Sequence, residues 1–269
     1  MRDCTLTVAA VFQNEGPWMK EWIEYHRLLG VEHFLLYNNF SADGFAAVLA
    51  PYVENSVVEL IEWPVRSTEQ FDGFQCDAYR DAIRRSAGST RWLAIIDLDE
   101  FLVPIVDDDL LGCLARFEAD AAVGGVCAQW RFFGTSGVER VPDGRLLIET
   151  LVRSGAAPTT GGEFPWESGH FKSIVRPERV LDVPSAHFAA YTFGRVHVAV
   201  LPELLQINHY WTRDERFLRE VKLPRNEKRS VSYEMTHAWA AAMNRHTGFA
   251  GPILRFVPRL RAKMGLRMH

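Results

Sequence analysis

The chain of 269 residues predicts an α/β protein, a mostly parallel sheet flanked by helices, and three observations predict it. Through the first hundred residues, β-branched and aromatic runs alternate with amphipathic stretches as β-α-β-α-β-α-β. Alternation of this kind builds a parallel sheet with helices on both faces. The segments that follow the strand-like runs, 13–16, 38–43, 64–75 and 97–100, are polar or acidic, and open α/β sheets bind ligands at strand C-termini. Finally, the apolar run Trp92 to Ile96 ends in Asp97-Leu98-Asp99-Glu100, with apolar residues resuming at Phe101. Carboxylates in such a place are costly to bury unless a cation neutralises them.

The elements follow from local chemistry. Thr5 to Phe12 reads as a first strand, broken by Gln13-Asn14-Glu15-Gly16-Pro17. Asn14 is the expected helix cap, and Pro17 suits a first helical turn. Trp18, Trp22, Tyr25 and Leu29 recur at helical spacing, and Gly30 stops the helix. Val31 to Tyr37 is a second strand ending in Asn38-Asn39, and Ser41-Ala42-Asp43-Gly44 turns into a short helix. Val57 to Trp63 is a third strand, stopped by Pro64, and a helix over 70–87 ends at Gly88 before the acidic strand.

Beyond Pro104 the pattern changes. Asp107-Asp108-Asp109 starts a helix to about Ala119, since acidic residues favour the first turn. Gly125 to Phe133, His170 to Val175 and Thr192 to Leu205 read as strands. Val141 to Leu146 reads as a hairpin-like turn on Asp143-Gly144. Gly155 to Gly169 reads as a mobile loop over the site. Phe217 to Lys222 and Tyr233 to Arg245 read as helices. The segment Pro252 to His269 carries five basic residues and no acidic one, with apolar residues interspersed. It is either an amphipathic tail on an anionic membrane surface or a terminal helix packed on the body.

Composition narrows the function. A hydrophobic share of 48% and a charged share of 24% are those of an ordinary globular protein. A net charge of −4 excludes the basic field that collects nucleic acid. Cys4, Cys76, Cys113 and Cys127 are scattered, without a C-x-x-C pair. That favours a reduced cytoplasmic compartment over a disulfide framework. No signal-peptide core is visible at the start and no apolar run is long enough to span a bilayer. The expectation is a soluble cytoplasmic protein, at most peripheral at the inner face of the membrane.

Asp97 and Asp99 lie two apart, so on a regular strand both side chains leave on one face. Together they could grip a hard divalent cation, with a nucleotide's diphosphate completing its shell.

Several stretches, in order, carry a family likeness. They are Val11 to Pro17, Glu21 to Val31, Tyr37-Asn38-Asn39, Gln75 to Tyr79, Asp97 to Phe101, Trp130 to Gly137, Lys172 to Val175 and Ile207 to Tyr210. The set covers roughly residues 5–225 and resembles the family 92-like, DUF23-type glycosyltransferases, relatives of the family 2 enzymes. The resemblance implies a GT-A type, Rossmann-like fold in a single domain. Residues 1–104 would be the nucleotide-binding half, 105–250 the acceptor half and 251–269 the basic tail. It also implies a D-x-D site for Mn²⁺ or Mg²⁺, with Asp97 and Asp99 as ligands, Asp97 also facing the ribose, and His209 as a third ligand. Glu100 would hydrogen-bond a neighbour. Phe12, Asn14, Glu15, Asn38, Arg66 and Gln75 would hold the nucleotide, and Lys172 would neutralise the leaving diphosphate. Many relatives carry Asp where this chain has Asn38, which leaves the donor nucleotide more open.

The implied reaction moves a sugar from a nucleotide-sugar donor, most simply a UDP-hexose, to a hydroxyl of a glycan or glycolipid. An inverting course needs a base. Glu163, Glu167, Asp182 and Asp214 are candidates, and Glu167 is chosen because Trp166 beside it could stack on a sugar. Two other readings stay open. An apolar strand ending in Asp97-Leu98-Asp99 also resembles the first motif of haloacid-dehalogenase phosphatases, with Asp97 as nucleophile and Asp99 as general acid. The fold could also serve as a binding module without turnover.

Overall fold

The computed structural model describes residues 3–64, 71–155, 170–228 and 233–267. The first half is the expected alternation: β1 (Cys4–Phe12), α1 (Gly16–Leu28), β2 (His33–Asn38), α2 (Phe45–Glu54), β3 (Val58–Glu62), α3 (Phe71–Ser86) and β4 (Thr90–Ile95). These strands pair in parallel in the order β3-β2-β1-β4. β1 is buried on both faces. Leu6, Val8, Ala10 and Phe12 enter the larger core with α1 and α2, while Ala9 and Val11 meet Ala78, Tyr79 and Ala82 of α3. Gly30 and Gly88 stop α1 and α3 with φ of +99° and +77°, where only glycine is unstrained.

The start of α1 corrects the reading of Asn14. Its side chain caps nothing in α1; its Oδ1 accepts from Ala42 N–H at 2.8 Å, and Asp43 Oδ2 accepts from Gly16 N–H at 2.7 Å. β1 and β2 are parallel neighbours, so their two following loops lie side by side and satisfy each other.

After Ile95 the chain turns at once into β5 (Glu100–Pro104), a strand the sequence pattern hid. Then come α4 (Leu110–Ala115), β6 (Val123–Phe132), α5 (Leu147–Thr150), β7 (Arg153–Ser154), β8 (Phe171–Val175), β9 (Val180–Ser185), β10 (Phe188–Tyr191), β11 (Val196–Ala199) and β12 (Leu205–His209). The main sheet runs β3-β2-β1-β4-β8-β6-β12-β5, with β11 also paired to β6. β8 is antiparallel to both β4 and β6, and β12 is parallel to β6 and antiparallel to β5. This mixed, mostly parallel sheet with flanking helices is the GT-A type arrangement expected.

Three other expectations change. α4 is short, capped by Asp109, whose Oδ1 accepts from Gly112 N–H at 2.8 Å. The Asp143-Gly144 turn leads into α5, not into a second hairpin strand. The single strand expected over Thr192 to Leu205 is two, β11 and β12, separated by a turn in which Leu204 N–H donates to Leu201 O.

β5 is an edge strand, and α1 closes its edge. Trp22 Nε1 donates to Glu100 O at 2.7 Å and Tyr25 Oη to Leu102 O at 2.9 Å. His26 Nε2 accepts from Leu102 N–H at 3.3 Å while its Nδ1 faces Trp22 O at 2.9 Å. That pairing requires the neutral Nδ1–H tautomer, and burial drives the His26 pKa down to about 3. Edge groups that would template another strand are thereby used up.

The rest is helical apart from β13 (Gly248–Phe249). α6 (Glu215–Phe217) and α7 (Leu223–Lys228) flank a π-helical turn, Leu218–Lys222. α8 (Tyr233–Met243), α9 (Gly251–Leu254) and α10 (Val257–Met264) complete the chain. Among the described residues, the apolar side chains of the tail pack on the body. Ile253, Phe256 and Leu260 are buried in the main core, Arg255 donates to Ile105 O, and Lys263 pairs with Glu24. No helix of the described residues is long and apolar enough to cross a membrane.

Candidate functional site

The acidic stretch is a turn, not the end of a regular strand. Glu100 N–H donates to Asp97 O at 3.1 Å, and Glu100 Oε2 accepts from Asp97 N–H at 3.0 Å. The two aspartates therefore leave toward different partners, which corrects the shared strand face drawn from their spacing. The turn is tied from both sides. Asp99 O accepts from Tyr210 N–H just past β12, and Leu98 O accepts from Arg213 Nη2 at 2.8 Å.

Asp97 faces β8 and α3. Lys172 Nζ lies 2.9 Å from its Oδ2, and Tyr79 Oη donates to its Oδ1 at 3.2 Å. Burial would raise this carboxyl, but Lys172 holds it below the usual range. Asp99 faces β12 and the π-helical turn. Its Oδ1 lies 3.4 Å from His209 Nε2 and its Oδ2 3.0 Å from Lys222 Nζ. Burial opposes its ionisation too, yet Lys222, His209 and Arg213 hold it well below the ordinary value. Glu100 is fully buried, and burial pushes its carboxyl well up; its Oε1 has no hydrogen-bond partner. Burial lowers Lys172, but Asp97 and Glu100 raise it further, so the ammonium is kept.

Among the described residues, one group can hold a metal ion. Ligand atoms of Asp99, Glu100 and His209 lie within 4.8 Å of one another. Two carboxylates and an imidazole suit a divalent ion such as Mn²⁺, and Glu100 Oε1, which has Lys172 Nζ 4.0 Å away but no hydrogen-bond partner, keeps an acceptor position for a closer cation. Trp130 and Phe132 of β6 pack on the His209 ring, with centroids 4.4 and 5.5 Å away, and fix its direction. Asp97 stands outside this triplet, with Glu100 in the place the spacing gave to it.

The other expected residues divide. Lys172 is buried in the site. Gln75 is half-buried on α3, one turn before Tyr79 and so on the same face. Glu15 is buried at the end of β1, with its Oε2 3.0 Å from Arg213 and its Oε1 3.4 Å from Arg225. Phe12 turns its ring into the core against Phe45, at 5.3 Å, leaving only backbone at the strand end. Asn38 donates to Glu62 Oε2 at 2.8 Å and accepts from Ser41 N–H. An aspartate there would set two carboxylates together, which gives a physical reason for the asparagine. Asp214 caps α6 and also accepts from Val141 N–H, so both its oxygens are engaged structurally. Asp182 is a surface residue, paired with Arg80 at 2.6 Å. Arg66, Glu163, Trp166 and Glu167, with the loop containing the last three, lie outside the described residues.

Four participants escaped the sequence: Tyr79 as a partner of Asp97, and Lys222, Arg213 and Arg225. Tyr79 lay inside a family stretch, but the basic three gave no local signal. Tertiary folding alone brings residues 213–225 to a turn more than a hundred positions earlier.

The sequence model of glycosyltransferase family 92 matches residues 2–245. A glycosyltransferase family 92 protein of Oryza sativa subsp. japonica is 26% identical over 209 residues, covering 77% of this chain and 33% of that protein. The beta-1,4-galactosyltransferase galt-1 of Caenorhabditis elegans is 23% identical over 224 residues, covering 80% and 49%. The galactan beta-1,4-galactosyltransferase GALS3 of Arabidopsis thaliana is 34% identical over 105 residues, covering 36% and 20%. The chain thus spans less than half the length of each of these relatives. Among solved structures, S. aureus TarS 1-349 in complex with UDP-GlcNAc is similar with a TM-score of 0.44 and 10% identity, covering 97% of this chain and 80% of that one.

Proposed function

This chain belongs to glycosyltransferase family 92, and we propose that it moves a hexose from a UDP-hexose donor to a hydroxyl of a glycan or glycolipid. The observation that carries the reading is the convergence of Asp99, Glu100 and His209 from β5 and β12 beside the Asp97–Lys172 pair. Two of the similar proteins bear galactosyltransferase names, which supports a hexose.

Asp99, His209 and Glu100 would hold Mn²⁺ or Mg²⁺, which when bound supplies positive charge to the leaving diphosphate. Asp97 is the most accessible of the acids, at 27% against 11% for Asp99 and none for Glu100. That exposure supports Asp97 as the acceptor of a ribose hydroxyl, with Lys172 and Tyr79 fixing its carboxylate. Glu100 holds the turn through Asp97 N–H, so the spacing of the two aspartates does not depend on the ligand. Gln75, Asn14, Glu15, Asn38 and Arg66 are proposed around the nucleotide. With Asp214 engaged as a cap and Asp182 in a surface pair, Glu167 is retained as the base for an inverting transfer. The family match leaves the phosphatase reading without support.

The test is calorimetric binding of UDP, GDP and CDP, each with and without Mn²⁺, to the wild type and to Asp99→Asn. Mn²⁺-dependent binding of UDP alone, lost in the variant, is the expected outcome. A folded wild type that binds none of the three would sink the reading. Slow hydrolysis of the UDP-hexose without acceptor separates an enzyme from a binding module, which would leave the donor intact.

A further inference from the structure

Asp99 is held from two sides, and only His209 belongs to the cation site proposed above. The other holder is Lys222, whose side chain is 12% exposed and whose ammonium lies 3.0 Å from Asp99 Oδ2 and 4.9 Å from the centre of the Trp211 ring. An ammonium offers only donors, so it competes with a divalent cation for the charge of this one carboxylate. Lys222 sits on Oδ2 and His209 faces Oδ1, yet a dication on this carboxylate would still repel the ammonium, because like charges a few ångströms apart interact strongly in a buried place.

The backbone under Lys222 is unusual in the same spot. Lys222 ends the π-helical turn Leu218–Lys222, and turns of this kind recur at functional sites. The turn is anchored on both sides. Leu218 is buried with Phe132, Trp211 and Met243, while Arg225, three residues beyond Lys222, donates to Gln13 O at 2.9 Å and reaches Glu15. Between fixed ends, the lysine's four-carbon stem can redirect its charge without moving the helix. Each aspartate has its own nearest lysine: Lys172 lies 2.9 Å from Asp97, and also 4.0 Å from Glu100, while Lys222 lies 3.0 Å from Asp99. A dication arriving with a diphosphate would release the second lysine and place an anion within reach of it.

Resting on the reading of Asp99 and His209 as cation ligands, we propose that Lys222 is a built-in counter-ion that yields Asp99 to the divalent cation and then pairs with the donor's diphosphate. Its removal then has opposite effects on the two ligands. Lys222→Met should bind Mn²⁺ alone about tenfold tighter, and UDP at saturating Mn²⁺ about tenfold more weakly, the size of one charge-assisted hydrogen bond. Either change missing, or both ligands weakened, overturns the proposal.

Because the variant leaves a buried aspartate with one partner fewer, the wild type supplies a second readout. Reductive methylation read by peptide mass spectrometry should find Lys222 more reactive after Mn²⁺ alone and shielded again when UDP follows. Reactivity unmoved by Mn²⁺ overturns the exchange. Wild type that binds neither Mn²⁺ nor UDP sinks this proposal together with the cation site. Wild-type binding with an indifferent Lys222→Met sinks this proposal alone.

Discussion

The two halves of the sheet treat the polar groups at their strand ends in opposite ways. In the parallel half, the loops after β1 and β2 satisfy each other's backbone with short polar side chains, Asn14, Ser41 and Asp43. Asn14 N–H donates to Ser41 Oγ and Asn14 Oδ1 accepts from Ala42 N–H across the two loops, and Asn38 closes its own turn on Ser41 N–H. In the mixed half, the ends of β8, β12 and β5 bury Lys172, His209 and Glu100 together. There Glu100 Oε1, His209 Nδ1 and two donors of the adjacent Arg213 have no hydrogen-bond partner. Buried polar atoms are nearly always paired, because leaving one unpaired costs about 1–3 kcal/mol. The first half thus spends its polar residues on holding a shape. The second keeps charge in reserve at the place where a charged ligand would use it.

The strongest way to break this contrast is to remove a charge from the second half. Lys172→Met leaves Asp97 and Glu100 without their shared cation and should cost about 3–5 kcal/mol, as for one partner taken from a buried ion pair. Urea unfolding measures it. A loss below 1 kcal/mol would mean that water or rearrangement compensates, and that the cluster is less buried than its side chains are.

Glu21 tests the seam between the halves. From α1 it accepts Leu147 and Ile148 N–H at 2.7 and 3.0 Å, capping α5 across the molecule. Burial raises its pKa from 4.5 to about 7 against those two hydrogen bonds. The folded protein therefore binds this proton more tightly than the unfolded chain does. The associated stability is complete below the unfolded value and is lost as pH rises through about 7. Between pH 5 and 8 the wild type should lose roughly 2–3 kcal/mol more than Glu21→Gln does. Parallel pH profiles would show that the Glu21 proton is not the linked one.

Asn38→Asp sharpens the contrast from the quiet side. The substitution sets a second carboxylate where Asn38 Nδ2 now donates to Glu62 at 2.8 Å. Since Glu62 is exposed, the expected loss is modest, about 1 kcal/mol at neutral pH. Pairing it with Glu62→Gln should recover that loss. Failure of the second change to rescue the first would place the cost elsewhere.

The same contrast explains what the sequence could say. The parallel half was legible because its signals are local: strand alternation in β1, helical spacing in Trp18, Trp22, Tyr25 and Leu29, and glycines at Gly30 and Gly88. The acidic stretch was legible as chemistry but not as geometry. Nothing in Asp97-Leu98-Asp99-Glu100 says that it turns, so the strand rule put both aspartates on one face and missed Glu100 as a potential ligand. β5 was hidden because its five residues follow that turn without a break in composition. Lys222 and Arg213 were invisible for a simpler reason: this stretch of the chain carries many basic residues, and only the fold chooses which of them it buries.

Asp182→Asn should have the smallest effect, and for that reason it tests the contrast most cleanly. Asp182 is a carboxylate in the second half that stands outside the buried cluster. Half of its side chain is exposed, and its partner Arg80 is shared with Asp77. Exposed pairs of this kind contribute little, because water already solvates both charges. The melting temperature should not move, and kcat and KM for sugar transfer should stay at wild-type values. A hundredfold fall in kcat with KM unchanged would make Asp182 the base in place of Glu167. It would also show that burial is the wrong guide to which charges in this half do chemistry.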